Sequence, residues 1–189
     1  MSEEKKGKSK LVKTLLVIIN PVKFWDDVYD KKMHQNLVKL LWWLMALVTL
    51  GAFVGKTIER NSNALLFAIG ELALHLIVFF VSKRLITQLA KNFSGNDYRL
   101  AIFDILTIAL VPTVTASLAI YIFPKFIYIK VLMLYTFVVY IIGLNTQLEI
   151  EGRRRNGFNF VTGVIILLVY LLVYFFIRNF VEAFGMTIL

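Results

Sequence analysis

Three ionisable side chains lie inside apolar stretches of the chain, where they are the residues best suited to do chemistry. Glu71 and His75 stand four positions apart, so they share one face of a helix. Asp104 lies in the next apolar stretch, about one turn from its start. A charge at the centre of a bilayer costs about 2.5–3.5 kcal/mol on insertion scales, so ionisable residues at that depth are candidates for function.

Two interpretations of these three residues follow from their chemistry. If the two helices run in opposite directions, His75 and Asp104 come to similar depth, and with Glu71 they could bind a divalent metal ion or pass protons. The alternative is a buried polar cluster that fixes helix packing. The E-x-x-x-H spacing differs from the H-E-x-x-H of zinc proteases. The pattern favours the packing interpretation and implies no cofactor, and it leaves a metal site open.

A second set of residues is basic and lies between the apolar stretches. Lys83 and Arg84 follow the second stretch, and Arg153, Arg154 and Arg155 follow the fourth. Arginines at such positions hold anionic lipid headgroups at about 1 kcal/mol each, anchor the topology, or dock a protein partner. The net charge of +9 is therefore expected to face an anionic membrane leaflet rather than nucleic acid.

The composition places these residues in a membrane protein. The 189 residues are 59% hydrophobic and only 17% charged, whereas an average soluble domain is about a quarter charged. The chain contains no cysteine, which excludes disulfides, thiolate metal sites and cysteine nucleophiles. It also shows no serine nucleophile motif and no phosphate-binding glycine loop, so we predict that it is not an enzyme.

Five apolar stretches are long enough to cross a hydrocarbon core of about 30 Å as helices. They predict an all-α, integral membrane five-helix bundle with spans at 37–55, 63–81, 100–123, 126–148 and 159–181. Only Pro124 and Lys125 separate the third and fourth stretches, which predicts a tight hairpin. Pro112 lies in the middle of the third span and is expected to kink it. Gly51 and Gly55 allow close approach of a helix from this chain or from a second copy.

Polar or amphipathic segments flank the five spans. Residues 1–10 are predicted to be disordered, residues 11–36 to be helical at the cytoplasmic side, and residues 182–189 to form a short outer tail. Asn20, followed by a proline, predicts a helix start. Apolar residues that include Trp25 then recur at helical spacing. They predict either an interfacial amphipathic helix or a cap packed on the bundle.

The distribution of lysine and arginine predicts the orientation of the chain. Sixteen of the 21 lie in the N-terminal segment, the second-to-third connection and the fourth-to-fifth connection, and five lie on the other side. Because cytoplasmic segments carry the excess of these residues, the N-terminus is predicted to be cytoplasmic and the C-terminus to lie outside. An odd number of spans agrees with that arrangement.

Dispersed features from residue 20 to residue 181 resemble the Yip1-domain family of five-span membrane proteins. These features are Asn20–Pro21 with Phe24–Trp25, Leu74–His75–Leu76, Leu89 to Gly95, Pro112, and Tyr140 with Ile142–Gly143–Leu144. The Asp-Leu-Tyr-Gly-Pro signature of eukaryotic members is missing, and the glycine-rich inner loop of prokaryotic members is reduced to Ser94–Gly95–Asn96–Asp97. The compact size looks more like the prokaryotic members, which implies a prokaryotic inner membrane.

The resemblance implies a cytosolic N-terminus, five helices and no known enzyme chemistry. It does not carry over the binding of small Rab-type GTPases, because the signature of the eukaryotic members is missing. Together with the charge distribution it predicts a non-enzymatic membrane scaffold or adaptor. Its partners would be anionic lipids and either a second copy or another membrane protein. The alternative function is a transporter of a small solute, proton or metal ion that uses Glu71, His75 and Asp104.

Overall fold

The computed structural model describes residues 19–28, 34–59, 63–123, 128 and 131–183, which contain helices and no strand. A short helix α1 (Pro21–Lys23) continues into a π-helical turn (Phe24–Val28), and the two together are called the N-terminal turn. Five longer helices follow: α2 (His34–Ile58), α3 (Ala64–Ser94), α4 (Arg99–Ile122), α5 (Val131–Gln147) and α6 (Gly152–Ala183). The predicted all-α membrane bundle is confirmed.

Each predicted span corresponds to one of these helices. By length and composition, four are long enough to cross a membrane, namely Asn36–Ile58, Ala64–Ser94, Arg99–Ile122 and Arg154–Ile177, while α5 supplies a shorter apolar segment, Met133–Gln147. The helix α3 continues well beyond the predicted end at residue 81, and its 31 residues extend about 46 Å. It does so because no proline or glycine interrupts residues 82–94, and it ends at Gly95, which takes the left-handed conformation (φ 76°).

The helix α4 ends just before the predicted hairpin of two residues. The described bounds of α4 end at Ile122, and those of α5 are Val131–Gln147. Phe123 has left the helical conformation (φ −126°, ψ 68°), as expected for a residue that precedes a proline. The turn at residues 124–125, the tail at 1–10 and the chain end at 184–189 lie outside the described residues.

The helix α4 occupies the centre of the bundle. It packs against α2 on one side and α5 on the other, and α3 packs between α2 and α6. More than half of the α4 residues are buried. In contrast, α6 packs mainly on α3 and exposes large apolar side chains such as Leu172 and Phe176. Exposed apolar surface of this extent suits contact with lipid rather than water.

Two of the interhelical connections meet at one end of the bundle. The backbone N–H of Glu149, which follows α5, donates to the hydroxyl of Tyr98 before α4 at 3.2 Å. The rings of Phe93 in α3 and Phe158 in α6 lie 5.5 Å apart. This end, called the basic end, also holds Arg84, Lys91, Arg99, Arg154 and Arg155. The other end, called the opposite end, holds the α2–α3 and α4–α5 connections.

The N-terminal turn is a cap packed on the bundle. Asn20 caps it as predicted, because its side chain accepts a hydrogen bond from the backbone N–H of Lys23 at 3.0 Å. Phe24 and Trp25 are both buried, at 1% and 2% exposure. A methyl group built on Gly143 of α5 would lie 2.7 Å from Trp25 Cζ2, so the indole fills the space that the glycine leaves. Of the two predicted alternatives, the structure agrees with the packed cap.

Candidate functional site

Glu71 and His75 share one face of α3, as their spacing predicts. The imidazole Nδ1 of His75 lies 2.8 Å from the backbone carbonyl oxygen of Glu71 and 3.7 Å from its Oε2. Because a carbonyl oxygen only accepts hydrogen bonds, Nδ1 is the nitrogen that carries the proton. The His75 ring is therefore held in place by the turn of helix that precedes it.

Tyr121 brings α4 to this pair. Its ring lies in a notch formed by the small residues Gly51 and Gly55 of α2, where added methyl groups would lie 3.1 Å and 3.2 Å from Tyr121 atoms. From this notch the Tyr121 hydroxyl makes a side-chain hydrogen bond with Glu71. The two glycines thus serve packing within the chain, which was one of the two roles that the sequence left open.

Lys56 of α2 and Tyr170 of α6 complete the surroundings of Glu71. Both lie close enough to interact electrostatically with its carboxyl group. Lys56 is 7% exposed, and its Nζ donates to Glu59 Oε2 at 2.6 Å and lies 4.9 Å from the ring centre of Phe67. A buried ammonium group needs such partners. We call Lys56, Glu71, His75, Tyr121 and Tyr170 the Glu71 cluster.

Asp104 does not join this cluster to form a metal site. Within the described ranges, no three His, Asp or Glu side chains come close enough together to hold a metal ion. Asp104 is buried at 2% exposure. Its neighbour Phe103 packs on Phe79, with ring centres 5.4 Å apart and one helical turn beyond His75. The described residues therefore do not bring Glu71, His75 and Asp104 together as a metal-binding group.

The predicted basic residues do not share one environment. Lys83 Nζ lies 4.8 Å from the ring centre of Phe103, so this lysine faces the bundle. Arg84 is exposed on α3. Arg153, Arg154 and Arg155 lie in the first turn of α6.

Acidic residues accompany the arginines of α6. Arg154 lines a shallow cleft together with Glu149 and Glu151. The Arg155 side chain donates from Nε to the carbonyl oxygen of Ile150 at 3.3 Å. The connection before α6 is therefore of mixed charge rather than uniformly basic.

Pro112 lies inside α4, which remains helical on both sides of it. The next residue, Thr113, pairs with Thr136 of α5, and their hydroxyl oxygens are 2.5 Å apart. Thr115 donates instead to the carbonyl oxygen of Val111 at 2.8 Å. The proline therefore lies beside a polar contact that joins α4 to α5 in the middle of the apolar bundle.

Sequence reasoning missed three members of the Glu71 cluster. The sequence pattern alone does not single out Lys56, Tyr121 or Tyr170. One available signal was the glycine pair on α2, which requires a large side chain from a neighbouring helix to fill it. The other was an acid three residues after Lys56, a spacing at which helical side chains pair.

The fold and its apolar helices define a multi-pass helical membrane protein. The chain matches the Yip1 domain over residues 15–176, which is most of its length, and it therefore belongs to the Yip1 family. Comparisons with curated proteins and with solved structures give no match. This membership confirms the resemblance seen in the sequence.

Proposed function

We propose that this Yip1-family chain is a non-enzymatic membrane adaptor that engages anionic lipid and protein partners through its basic end. The observation that carries the proposal is the placement of sixteen of the 21 lysines and arginines on that side of the predicted topology. By the positive-inside rule the basic end faces the cytoplasm, where the leaflet is anionic.

The part of α3 beyond its predicted span supports a contact with headgroups. Arg84, Gln88 and Lys91 are all exposed and recur at helical spacing, so they form one polar face. Ile86 and Ala90 on the other face are fully buried in the bundle. This extension is therefore fixed in place, and its cationic face lies beyond the hydrocarbon-spanning part of the helix, where headgroup phosphates are found.

The connection before α6 is better suited to a protein partner than to lipid. Glu149 and Glu151 are exposed beside the exposed Arg154 and Arg155, so this connection carries charges of both signs. A surface of mixed charge is repelled in part by a uniformly anionic leaflet, but it can select a protein of complementary charge pattern. The hydrogen bond from Glu149 to Tyr98 holds this connection beside the end of α3.

The proposal is tested by lipid competition on the purified chain in mild detergent. Native mass spectrometry of protein incubated with equal amounts of phosphatidylglycerol and phosphatidylcholine reports which lipid is retained. We expect wild type to retain phosphatidylglycerol. At about 1 kcal/mol for each cation, the double variant Arg84→Gln/Lys91→Gln should lose roughly thirtyfold of that preference.

Two matched variants complete the design. Arg60→Gln/Lys125→Gln removes two cations that the charge count assigns to the other side, and its lipid preference should equal that of wild type. Arg154→Gln/Arg155→Gln should change the preference less than the α3 variant does. Equal lipid preference in the α3 variant and the Arg60/Lys125 control would contradict a role of the basic end in lipid binding.

A further inference from the structure

We propose that Glu71 is a proton-binding site within the membrane-embedded bundle, and that its bound proton sets how α4 is held against α3. The proposal does not depend on the lipid binding proposed above. It rests on the arrangement of the Glu71 cluster, in which groups from four helices surround one carboxyl group. The ligand is the proton itself, and no covalent step is involved.

The first argument is that neither nearby base serves as a hydrogen-bonded counter-ion for Glu71. His75 directs its Nδ1 proton to the backbone carbonyl oxygen of Glu71 at 2.8 Å, and the carboxylate oxygen is 3.7 Å away. The Lys56 ammonium group makes its close contact, 2.6 Å, with Glu59 instead. The carboxyl group of Glu71 keeps a phenol as its hydrogen-bond partner.

The second argument is the position of Glu71 in the bundle. It lies seven residues into α3, about 10 Å from the opposite end of that helix. Helices α2, α4 and α6 each bring a side chain to it. An ionised carboxylate at such a place has lost much of its water, and binding a proton is the ordinary way in which such a group removes the cost.

The third argument is a polar path from the opposite end. Glu59, at the end of α2, is 44% exposed and bonds to Lys56, which is almost fully buried. Lys56 in turn lies near Glu71, and His75 follows one turn deeper. The four residues descend from the surface into the bundle on adjoining helices. Protons are therefore expected to reach Glu71 from the opposite end and not from the basic end.

Every charged or titratable group that faces Glu71 affects this equilibrium. In the part of the chain that the structure describes, these groups are His75 on the same helix, Lys56 from α2, Tyr121 from α4 and Tyr170 from α6. A phenol donates most strongly to an ionised carboxylate, so the Tyr121 hydrogen bond strengthens when Glu71 loses its proton. The Tyr121 ring packs in the Gly51–Gly55 notch of α2, and its hydroxyl bonds to Glu71 of α3. A change in the strength of that hydrogen bond therefore changes the packing of α4 against α2 and α3.

The test uses dicyclohexylcarbodiimide, an apolar reagent that enters membranes and reacts only with a protonated carboxyl group. The acid proton goes to one nitrogen and a carboxylate oxygen bonds to the central carbon, so the whole reagent is added and nothing leaves. Peptide mass spectrometry of protein in lipid nanodiscs locates the adduct. We expect an adduct on Glu71 near pH 7 that decreases as the pH rises.

Three variants separate the proposal from its alternatives. Glu71→Gln should abolish the adduct, whereas Asp104→Asn, which alters another buried carboxyl group, should leave it on Glu71. Tyr121→Phe removes a donor that favours the ionised form, so labelling should persist to higher pH. If Glu71→Gln does not fold, Glu71→Asp keeps the carboxyl group and should carry the adduct on the new residue.

Infrared difference spectra report the protonation state of Glu71 even if the reagent fails to reach it. Wild type minus Glu71→Gln near pH 7 should contain the carbonyl band of a protonated carboxyl group, shifted in the Tyr121→Phe background by loss of the hydrogen bond. A difference spectrum that shows only ionised carboxylate would overturn the proposal. So would a band that is insensitive to both pH and the loss of the Tyr121 hydroxyl.

Discussion

The packing of Trp25 on Gly143 gives the most exacting prediction. A methyl group added at Gly143 would lie 2.7 Å and 3.0 Å from two indole carbons and 3.1 Å from Ile105 Cγ2. Carbon atoms pack best at about 3.5–4.0 Å, so the indole must move by about 1 Å. Trp25 is 2% exposed and contacts Phe24 edge to face at 5.6 Å, which leaves it little room to move.

We therefore expect Gly143→Ala to destabilise the protein by about 1–3 kcal/mol, the usual cost of overpacking a filled core. The measurement is the thermal unfolding midpoint in detergent. Gly163→Ala on α6 is the matched control, because no atom lies within 4 Å of its added methyl group. Alanine favours helix over glycine by up to about 1 kcal/mol at both positions, so the difference between the two variants isolates the clash.

A fluorescence measurement locates the effect. The chain has three tryptophans, and Trp42 and Trp43 are exposed on α2, at 56% and 67%. In a Trp42→Phe/Trp43→Phe background, Trp25 is the sole reporter and should resist quenching by acrylamide. Gly143→Ala should raise that quenching. If Gly143→Ala is as stable as Gly163→Ala and Trp25 is quenched freely in both, the N-terminal turn is not packed on α5.

Three further predictions concern the helix contacts. Gly51→Ala should cost about 1 kcal/mol in stability by crowding its α4 neighbours, and light scattering should show an unchanged oligomeric state; a changed state would move this glycine to an intermolecular interface. Glu59→Gln should lower the thermal midpoint more than Lys56→Met, because it leaves a buried ammonium group without its carboxylate, and the reverse order would refute that pairing. A double-mutant cycle of Thr113→Val and Thr136→Val should give a coupling of about 0.6 kcal/mol, and a coupling of zero would mean that the two hydroxyls do not bond.

Much of the fold follows from hydropathy and charge. Apolar length predicts the five helices and their order, because a helix in lipid must satisfy its own backbone hydrogen bonds. Helix boundaries are less accessible from the sequence. The helix α3 runs to Ser94 through a polar segment, and α4 ends at Ile122 although the next residue, Phe123, is apolar. Both cases depend on local backbone preference and tertiary contacts rather than on hydropathy.

The candidate site is predicted only in part, for a geometric reason. Spacing places Glu71 and His75 on one face, since both lie on one helix. Whether Asp104 meets them depends on the rotation and depth of a second helix, which periodicity does not determine. Tyr121 reaches Glu71 because its ring fits into the notch formed by two glycines. The spacing of the glycines predicts such a notch, but a single sequence does not predict which side chain fills it.

The orientation of the basic end is the property on which the proposed function depends most. Because the chain contains no cysteine, a maleimide labels only a cysteine that has been introduced. Single cysteines are introduced at Asn96, in the α3–α4 connection, and at Ser62, in the α2–α3 connection, and intact cells are treated with a membrane-impermeant maleimide. We predict labelling of Ser62→Cys from outside and of Asn96→Cys only after permeabilisation. External labelling of Asn96→Cys with protection of Ser62→Cys would place the basic end outside the cell and contradict the proposed function.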